Sequence, residues 1–537
     1  MSSLPVETVE RKAETTPLTA EVLLRRRADL KPAITALSDP PNLAALGLGQ
    51  PRAFNYYEAD AVVDALASFF IELGLEPGDV IAVQLPNFAL SPLTLLAAWR
   101  AGLTVAALPM LWRGYEIGNA CAEIAPKALI GISRFAGASH AETLCAAAVN
   151  QLSVRFVLGF GPDLPDGVVS LDEAIEARRG LARVEARAPE GAGMITFTAR
   201  PGAPFLAVAR NEDELLAQGA MAVLELDLDT RDVILNPYPL TGSVGLSLGL
   251  LPWLISGATL AQHHPFDYET FVEQVLTSGA TVTALPSPVL AALAQDGVLQ
   301  RPQCRLRRVG AVWSSPELAD LSPAPFDSDT VQLFDLYPLG DLASVLLKRE
   351  TPGEPASLSL GKIHLEEHGN GAVFLETKLS LYRDADGYGE LLLRGPVVPR
   401  GSPVGPLAPD ANGFVGTGLL ATLKGTTGID LRLKGDPELL RHGGVAIATS
   451  EFDELYRSFP GYLDAACYVL PDPVIGDRVF AAVVPKPGEP ISLEALNRFL
   501  EERQVAPYKF PDKLLVVKQI PRDADGFVLR DRILTQV

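Results

Sequence analysis

Residues 56–132 contain YYEADAVVDALASFFIELGL (56–75), EPGD (76–79), VIAVQL (80–85), PNFALSPLTLLAAWRAG (86–102), TVAALPM (104–110) and KALIGI (127–132). In the first segment Val62, Leu66, Phe69, Phe70 and Leu73 recur at spacings of three and four, which puts them on one face of a helix. EPGD is a turn, and VIAVQL is a short apolar run of strand length. The segment 86–102 predicts a second helix, TVAALPM a second strand, 114–125 a helix and KALIGI a strand. Helix and strand alternate, so this part of the chain is α/β with a largely parallel sheet.

The alternation returns further on. TRDVILNPYP (230–239) enters as a strand, followed by an uncharged helix. ATLAQH (258–263), TVTALP (281–286) and RRVGAVW (307–313) are strands, with helices at 266–279 and 288–297 between them. From about 358 to 433 the texture changes. AVFLETKLSLY (372–382) and GELLLRGPVV (389–398) are alternating strands cut by Gly, Pro and Asp, which predicts a β-rich subdomain. The last hundred residues read as a compact α+β module. SEFDELYRSFPG (450–461) is a helix capped by Thr449 or Ser450. CYVLP (467–471), VFAAVVPK (479–486) and KLLVVKQI (513–520) are strands, and SLEALNRFLEERQ (492–504) is a helix. The expected organisation is a tail at 1–17, a large unit at 18–433 and a small unit at 434–537, with a linker near Leu433–Pro437. No internal repeat is visible.

Composition narrows the function classes. The chain has 537 residues, 48% hydrophobic and 20% charged, which excludes disorder throughout. Gly and Pro number 46 and 44 without a Gly-X-Y period, so collagen-like structure is excluded as well. The net charge of −20 argues against nucleic acid as a partner, because neutralising phosphates needs a basic stripe. Cys121, Cys145, Cys304 and Cys467 lie far apart and form no CxxC pair for zinc. Such sparse cysteines fit a reducing, cytosolic compartment. The start, MSSLPVETVERKAETTP, is acidic where a signal peptide would be basic and then apolar. Residues 233–265 lack Asp, Glu, Lys and Arg, but Pro237, Pro239, Pro252 and four glycines interrupt them. They predict a buried helix flanked by turns and no membrane span.

Several segments, in collinear order from about 18 to 534, resemble the ANL superfamily of adenylate-forming enzymes, which includes the acyl-CoA synthetases. LGLEPGDVIAVQLPN (73–87) and AAWRAGLTVAALPM (97–110) resemble its entry strand and the helix and strand after it. SGATLAQHHPFDYETFVEQVLTSGATVTALPSPVLAAL (256–293) resembles its second sheet layer. VAPYKFPDKLLVVKQIPRDADGFVLRDRI (505–533) resembles its terminal YK-x-P and PRT-x-x-GK-x-x-R pattern. The resemblance implies a large N-terminal domain with two α/β sheet layers and a β-rich subdomain, plus a small α+β C-terminal domain. It also implies chemistry in which a carboxylate is joined to ATP and the acyl group then passes to a thiol, with ATP, magnesium and CoA as cofactors.

Transferred residue by residue, the resemblance meets many departures. The phosphate loop falls on ITFTARPGAPFLA (195–207). Thr198 and Gly202-Ala203-Pro204 match, but Phe205 stands where a lysine belongs, and Pro201 removes an N–H from a loop that works by donating N–H groups. The stretch reads as an ordinary strand–loop crossover; the alternative is a phosphate loop in which Arg200 partly compensates as a candidate phosphate contact. Tyr337-Pro338-Leu339-Gly340-Asp341 replaces Tyr-Gly-x-Thr-Glu. This gives Tyr337 as an adenine-stacking candidate and Asp341 as a magnesium candidate, and removes the threonine hydroxyl at Gly340. In DANGFVGTGLLA (410–421) Thr417 and Gly418 match, but the ribose-binding aspartate is Leu419, which accepts no hydrogen bond. In LKGDPELLRHGG (433–444) Gly443 and Gly444 match a pantetheine-contacting pair, and Lys434 is the candidate for the missing arginine. The C-terminal catalytic lysine falls on Phe527, and the acyl-site histidine on Gly242. Tyr238, Gly242, Trp313 and Ser314 are candidates for the acyl pocket.

Two other patterns deserve a reading. GLSLG (245–249) matches a nucleophile elbow centred on Ser247, but it lies inside the expected buried helix and not at a strand-to-helix turn. HLEEH (364–368) matches a metalloprotease pattern, but in β-rich sequence. His263 and His264 end a strand. The function expected from the residues is therefore an acyl-CoA synthetase-like protein with its adenylation residues largely replaced, binding an acyl, aryl or CoA-type ligand or a partner enzyme. Two alternatives stay open: a divergent ATP-dependent ligase using Arg200, Lys434 and Asp341, and an enzyme that takes a preactivated acyl group without ATP. Phe205, Leu419 and Phe527 are expected to lay apolar surface over the nucleotide position.

Overall fold

The computed structural model describes residues 18–187, 191–200, 203–313, 331–340, 342–351, 354–364, 373–382, 387–401, 409–432, 439–442, 445–472, 476–488, 492–524 and 526–536. The expected tail at 1–17 and linker at 433–437 lie outside these residues.

Two α/β sheets form the large N-terminal domain. The first runs Val168–Ser170, Phe156–Phe160, Ala128–Ile132, Val80–Val83, Thr104–Ala107, Met194–Arg200, Ala203–Arg210. All its neighbours are parallel except the last pair. The second runs Ala343–Lys348, Gln332–Leu339, Arg308–Val312, Val282–Pro286, Val233–Asn236, Thr259–Gln262, Thr35–Ser38, Ala53–Asn55, parallel except at its two edges. Its central strands are short apolar runs, as suits a sheet covered on both faces.

The uncharged segment lies between these layers. Ser243–Gly245 continues through a π-turn, Leu246–Leu250, into Leu251–Ser256. Trp253 is fully buried there and stacks on Tyr56 at 6.3 Å. The neighbouring helix Glu212–Glu225 approaches so closely that a Cβ on Gly219 would lie 2.5 Å from that of Leu251. Among the described residues no helix is long and apolar enough to cross a membrane.

One buried cation braces the helical layer. Arg100 is completely covered, with its guanidinium on Asp60 at 2.8 Å, Asp64 at 2.9 Å and Glu21 at 3.3 Å. Burying a charge is tolerable only when it is paired in this way. The network joins helices Ala20–Leu30, Tyr56–Glu72 and Leu90–Arg100.

The β-rich subdomain is an antiparallel sheet of Gly361–His364, Val373–Leu379, Gly389–Arg394, Val415–Lys424 and Gly428–Arg432, packed on an apolar core that it shares with Val208 of the hairpin and Leu339, Ala343 and Val345 of the second sheet. The C-terminal domain has a sheet of Val445–Ala448, Leu439–His442, Gly476–Pro485 and Tyr462–Asp472, with Lys513–Val516 parallel to Gly476–Pro485. Helices Thr449–Arg457 and Leu493–Glu502 pack on it. The cap expected at Thr449 or Ser450 is corrected. The helix starts at Thr449 behind Ala448, whose methyl group cannot cap it, and the Thr449 hydroxyl, already inside the helix, accepts from Arg530 Nη2 at 2.6 Å.

Candidate active site at the sheet junction

The carboxyl ends of parallel strands from both large sheets meet at one junction, the usual place for a ligand crevice in such folds. From the first sheet come Gln84 and Asn87, just beyond Val80–Val83, and His140. From the second come Asn236, Tyr238, His263 and His264. Gln84 Nε2 donates to the carbonyls of Pro109 and Trp112, which turns its Oε1 toward His140 Nδ1 at 3.0 Å. Asn87 Nδ2 donates to the Tyr238 carbonyl at 2.7 Å, and its backbone N–H donates to His264 Nδ1 at 3.3 Å. A backbone N–H can only donate, so that ring nitrogen carries a lone pair. Burial pushes both His140 and His264 down to about 4. The junction is thus welded by neutral polar groups. His263 fits the same pattern, with its Nε2 accepting from Asp267 N and its Nδ1 facing Gln274 Oε1 at 3.0 Å.

Tyr238 borders a void of about 10 Å³ with Ile234, Leu248, Ala284, Gly310 and Leu346, and its hydroxyl is buried with no partner. Desolvation raises its pKa far above the ordinary phenol value. Gly242 begins the buried helix, with its N–H donating to Pro239 O at 3.3 Å. Trp313 is buried, and its indole N–H donates to Asp335 at 2.7 Å. Tyr337 stacks on Trp313 at 6.4 Å and 14°, and its hydroxyl donates to the Ala356 carbonyl. The Trp313 N–H and the Tyr337 hydroxyl are therefore both engaged internally. Ser314 lies outside the described residues.

The phosphate-loop candidate is a hairpin. Met194–Arg200 pairs antiparallel with Ala203–Arg210, and Arg200 lies opposite Ala203. This corrects the strand–loop crossover: the chain turns straight back. Thr198 lies opposite Leu206 in the hairpin; Pro201 and Gly202 are outside the described residues. Phe205 is buried, 5.4 Å from Trp112 and 5.2 Å from Phe197, ring to ring.

Thr417 and Gly340 meet at the edge of the β-rich subdomain. Gly340 has φ +59, and a Cβ on it would lie 2.3 Å from the Thr417 carbonyl oxygen. The Thr417 hydroxyl donates to Leu391 O and accepts from Leu419 N. Leu419 is buried in the subdomain core. Asp341, Lys434, Gly443 and Gly444 lie outside the described residues, as do residues 365–368 of HLEEH. Among the described residues no cluster of His, Cys, Asp and Glu could hold a metal. Ser247, the elbow candidate, sits in the π-turn with its hydroxyl donating to Ser243 O.

Phe527 corrects an expectation. It is 61% exposed in a surface turn closed by Asp523, and it covers nothing at the junction. The three apolar residues do not form one surface: Phe205 and Leu419 bury in separate cores, and Phe527 faces solvent. A cation from the C-terminal domain, Lys509, approaches the hairpin and with Thr198 and Phe205 lines a small interdomain cavity. Its ammonium is held by Glu116 at 2.9 Å and by Glu451. Two acids thus share this one cation, and the rest of the wall mixes aromatic rings with Thr198, Ala199 and Ile447.

Sequence reasoning missed Glu116, Lys509, Asp335, Arg349 and His140. Lys509 stood in the quoted YK-x-P segment, which was the available signal.

A family model described as AMP-binding enzyme matches residues 24–401, and one described as AMP-binding enzyme C-terminal domain matches 451–526. The chain belongs to the AMP-binding enzyme family. It is 27% identical over 495 residues to a salicylyl-CoA synthase / salicylate adenylyltransferase of Streptomyces, covering 88% of this chain and 86% of that protein. It is 28% identical over 531 residues to a salicyl-AMP ligase / salicyl-S-ArCP synthetase of Mycobacterium tuberculosis, covering 94% and 90%. An o-succinylbenzoate CoA synthetase from Bacillus subtilis superposes with a TM-score of 0.74 at 19% identity, covering 95% of this chain and 98% of that one. This AMP-binding enzyme family member therefore has the ANL fold, and its curated relatives are acyl- and aryl-acid ligases.

Proposed function

We propose that this acyl/aryl-CoA ligase family protein binds an acyl or aryl carboxylate, or its CoA thioester, at the sheet junction, with ATP-dependent adenylation lost or very slow. The observation that carries the reading is Phe205, buried against Trp112 and Phe197 where the family resemblance calls for a phosphate-contacting lysine. Removing one preorganised donor to developing charge typically costs about 10²–10³ in rate. Here Leu419 and Phe527 replace two more polar groups, and Lys509 is neutralised by its two acids. Tyr238, Gly242 and Trp313 remain the acyl-pocket candidates, and Thr198, Arg200, Gly202, Tyr337, Asp341, Thr417 and Lys434 the nucleotide-side ones. Gly443 and Gly444 remain the CoA-side candidates.

A second reading is a working carboxylate–CoA ligase that uses ATP and magnesium. The names of the relatives favour it, because they are synthetases and ligases matched along nearly their whole length. The loss of adenylation rests only on this chain's own residues.

ATP–pyrophosphate exchange across a panel of benzoic, hydroxybenzoic and fatty acids separates the readings. The first expects exchange at background, with calorimetric binding of at least one acid or acyl-CoA. Exchange at an ordinary enzymatic rate overturns it in favour of the second.

A further inference from the structure

A cleft of about 770 Å³ opens at the amino ends of Arg308–Val312 and Gln332–Leu339, the opposite end of the second sheet from the junction. That volume falls in the range of ordinary binding pockets. Leu224 and Leu226, at the end of helix Glu212–Glu225, line it together with Phe334 and Leu347. Strand Gly361–His364 adds Lys362, Ile363 and His364, the first histidine of HLEEH. The loop after Ala343–Lys348 adds Glu350, Glu354 and Ala356. That loop is held from behind: the Ala356 N–H donates to Asp335 and the Ala356 carbonyl accepts the Tyr337 hydroxyl, both at 2.7 Å. The cleft is therefore built in advance of any occupant. Its charges are only partly matched. Arg308 has Asp227 at 3.5 Å, and Glu225 also lines the cleft. Among the described residues Lys348 and Lys362 make no ion pair, and neither do Glu350 and Glu354. The acids would repel a simple polyanion, and the lysines a polycation. An occupant with acids, bases and apolar side chains along one short run of chain answers all three kinds of surface.

We propose that residues 1–17 of this same chain occupy the cleft. Their sequence, MSSLPVETVERKAETTP, carries Leu4, Val6 and Val9, the acids Glu7, Glu10 and Glu14, and the bases Arg11 and Lys12. The acids answer Lys348 and Lys362, the bases answer Glu350 and Glu354, and the apolar side chains answer Leu224, Leu226 and Leu347. The reach is sufficient. The described chain starts at Leu18, beside helix Ala20–Leu30. That helix and Glu212–Glu225 both pack on Leu251–Ser256, and the Glu21 carboxylate is near enough to act on Glu212. From Glu212 to the cleft is one helix length, about 20 Å. The segment 1–17, fully extended, spans up to about 55 Å. Tethering gives it an effective concentration of about millimolar at the cleft, so a few exposed ion pairs over an apolar floor suffice. The assignment holds under either reading of the ATP step, because the cleft lies away from the junction.

The test is photo-crosslinking in the full-length chain with p-benzoylphenylalanine in place of Val9, the adducts being mapped by mass spectrometry. The expected adducts are intramolecular, fall on 224–227 and 347–364, and form in a yield independent of protein concentration. Lys348→Glu with Lys362→Glu should cut them about fivefold, the scale of two exposed ion pairs turned repulsive. Adding Glu7→Lys and Glu10→Lys to that variant should restore them. Glu350→Lys with Glu354→Lys, rescued by Arg11→Glu and Lys12→Glu, repeats the test with the signs reversed and guards against one variant that fails to fold. All four cleft side chains are exposed, so circular dichroism should stay native. Adducts only between chains, adducts elsewhere on the molecule, no adducts, or charge reversals without loss and rescue would overturn the proposal.

Discussion

The indole N–H of Trp313 and the carboxylate of Asp335 meet at 2.7 Å in the covered interior of the second sheet. The same carboxylate carries Arg349 and accepts the Ala356 N–H at 2.7 Å. One acid thus fixes the tryptophan, the arginine and the loop that receives the Tyr337 hydroxyl. Asp335→Ala leaves a buried guanidinium without its counter-charge, a change that typically costs about 3–5 kcal/mol. Urea unfolding should show that loss, and tryptophan emission should shift as the Trp313 hydrogen bond disappears.

Restoring lysines one at a time should not restore adenylation. Phe527→Lys places a cation in solvent and should leave both pyrophosphate exchange and stability within error. Phe205→Lys drives an ammonium among Trp112 and Phe197 and should destabilise the fold by at least the about 3–5 kcal/mol of a Phe→Ala truncation. Exchange and denaturant midpoints on the two variants check this pair of outcomes.

Glu212 gives a pH signature. Burial first, and then Glu21 and Asp213, push its carboxyl up to about 7. The folded protein keeps a proton that the unfolded chain releases from its ordinary pKa of 4.5 upward. Stability from this group is therefore full below that value and is lost as pH rises toward 7, by up to about 2–3 kcal/mol. Glu212→Gln should flatten the stability curve between pH 5 and 8, measured by urea midpoint at each pH.

Ser247 should be inert. Its hydroxyl returns to the Ser243 carbonyl inside a buried helical turn, where no base can reach it from solvent. A fluorophosphonate probe should not label it, and Ser247→Ala should leave ligand binding unchanged. Labelling at this residue would revive the elbow reading.

The α/β architecture was legible because its strands are short apolar runs and its helices carry a clear stripe. The helix Ala20–Leu30 was not, because AEVLLRRRADL hides its buried face behind three arginines. Arg25 is satisfied by Asp60 and Asp64, which no local pattern announces. The site was half legible. The substitutions at 205, 419 and 527 stand out in the sequence, but their fates differ, and only packing sends Leu419 into one core, Phe205 into another and Phe527 outside. Glu116 and Lys509 are 393 positions apart, and nothing short of the folded chain joins them.

The tight meeting of Gly340 with the Thr417 backbone sets a limit on redesign. Position 340 admits hydrogen alone, for its φ is left-handed and a carbonyl blocks the space above it. Grafting a hydroxyl-bearing residue there would prise the β-rich subdomain from the neighbouring sheet before any chemistry could begin. A side chain at this position therefore asks more than a swap of residues: the main chain itself would have to be recast along this seam.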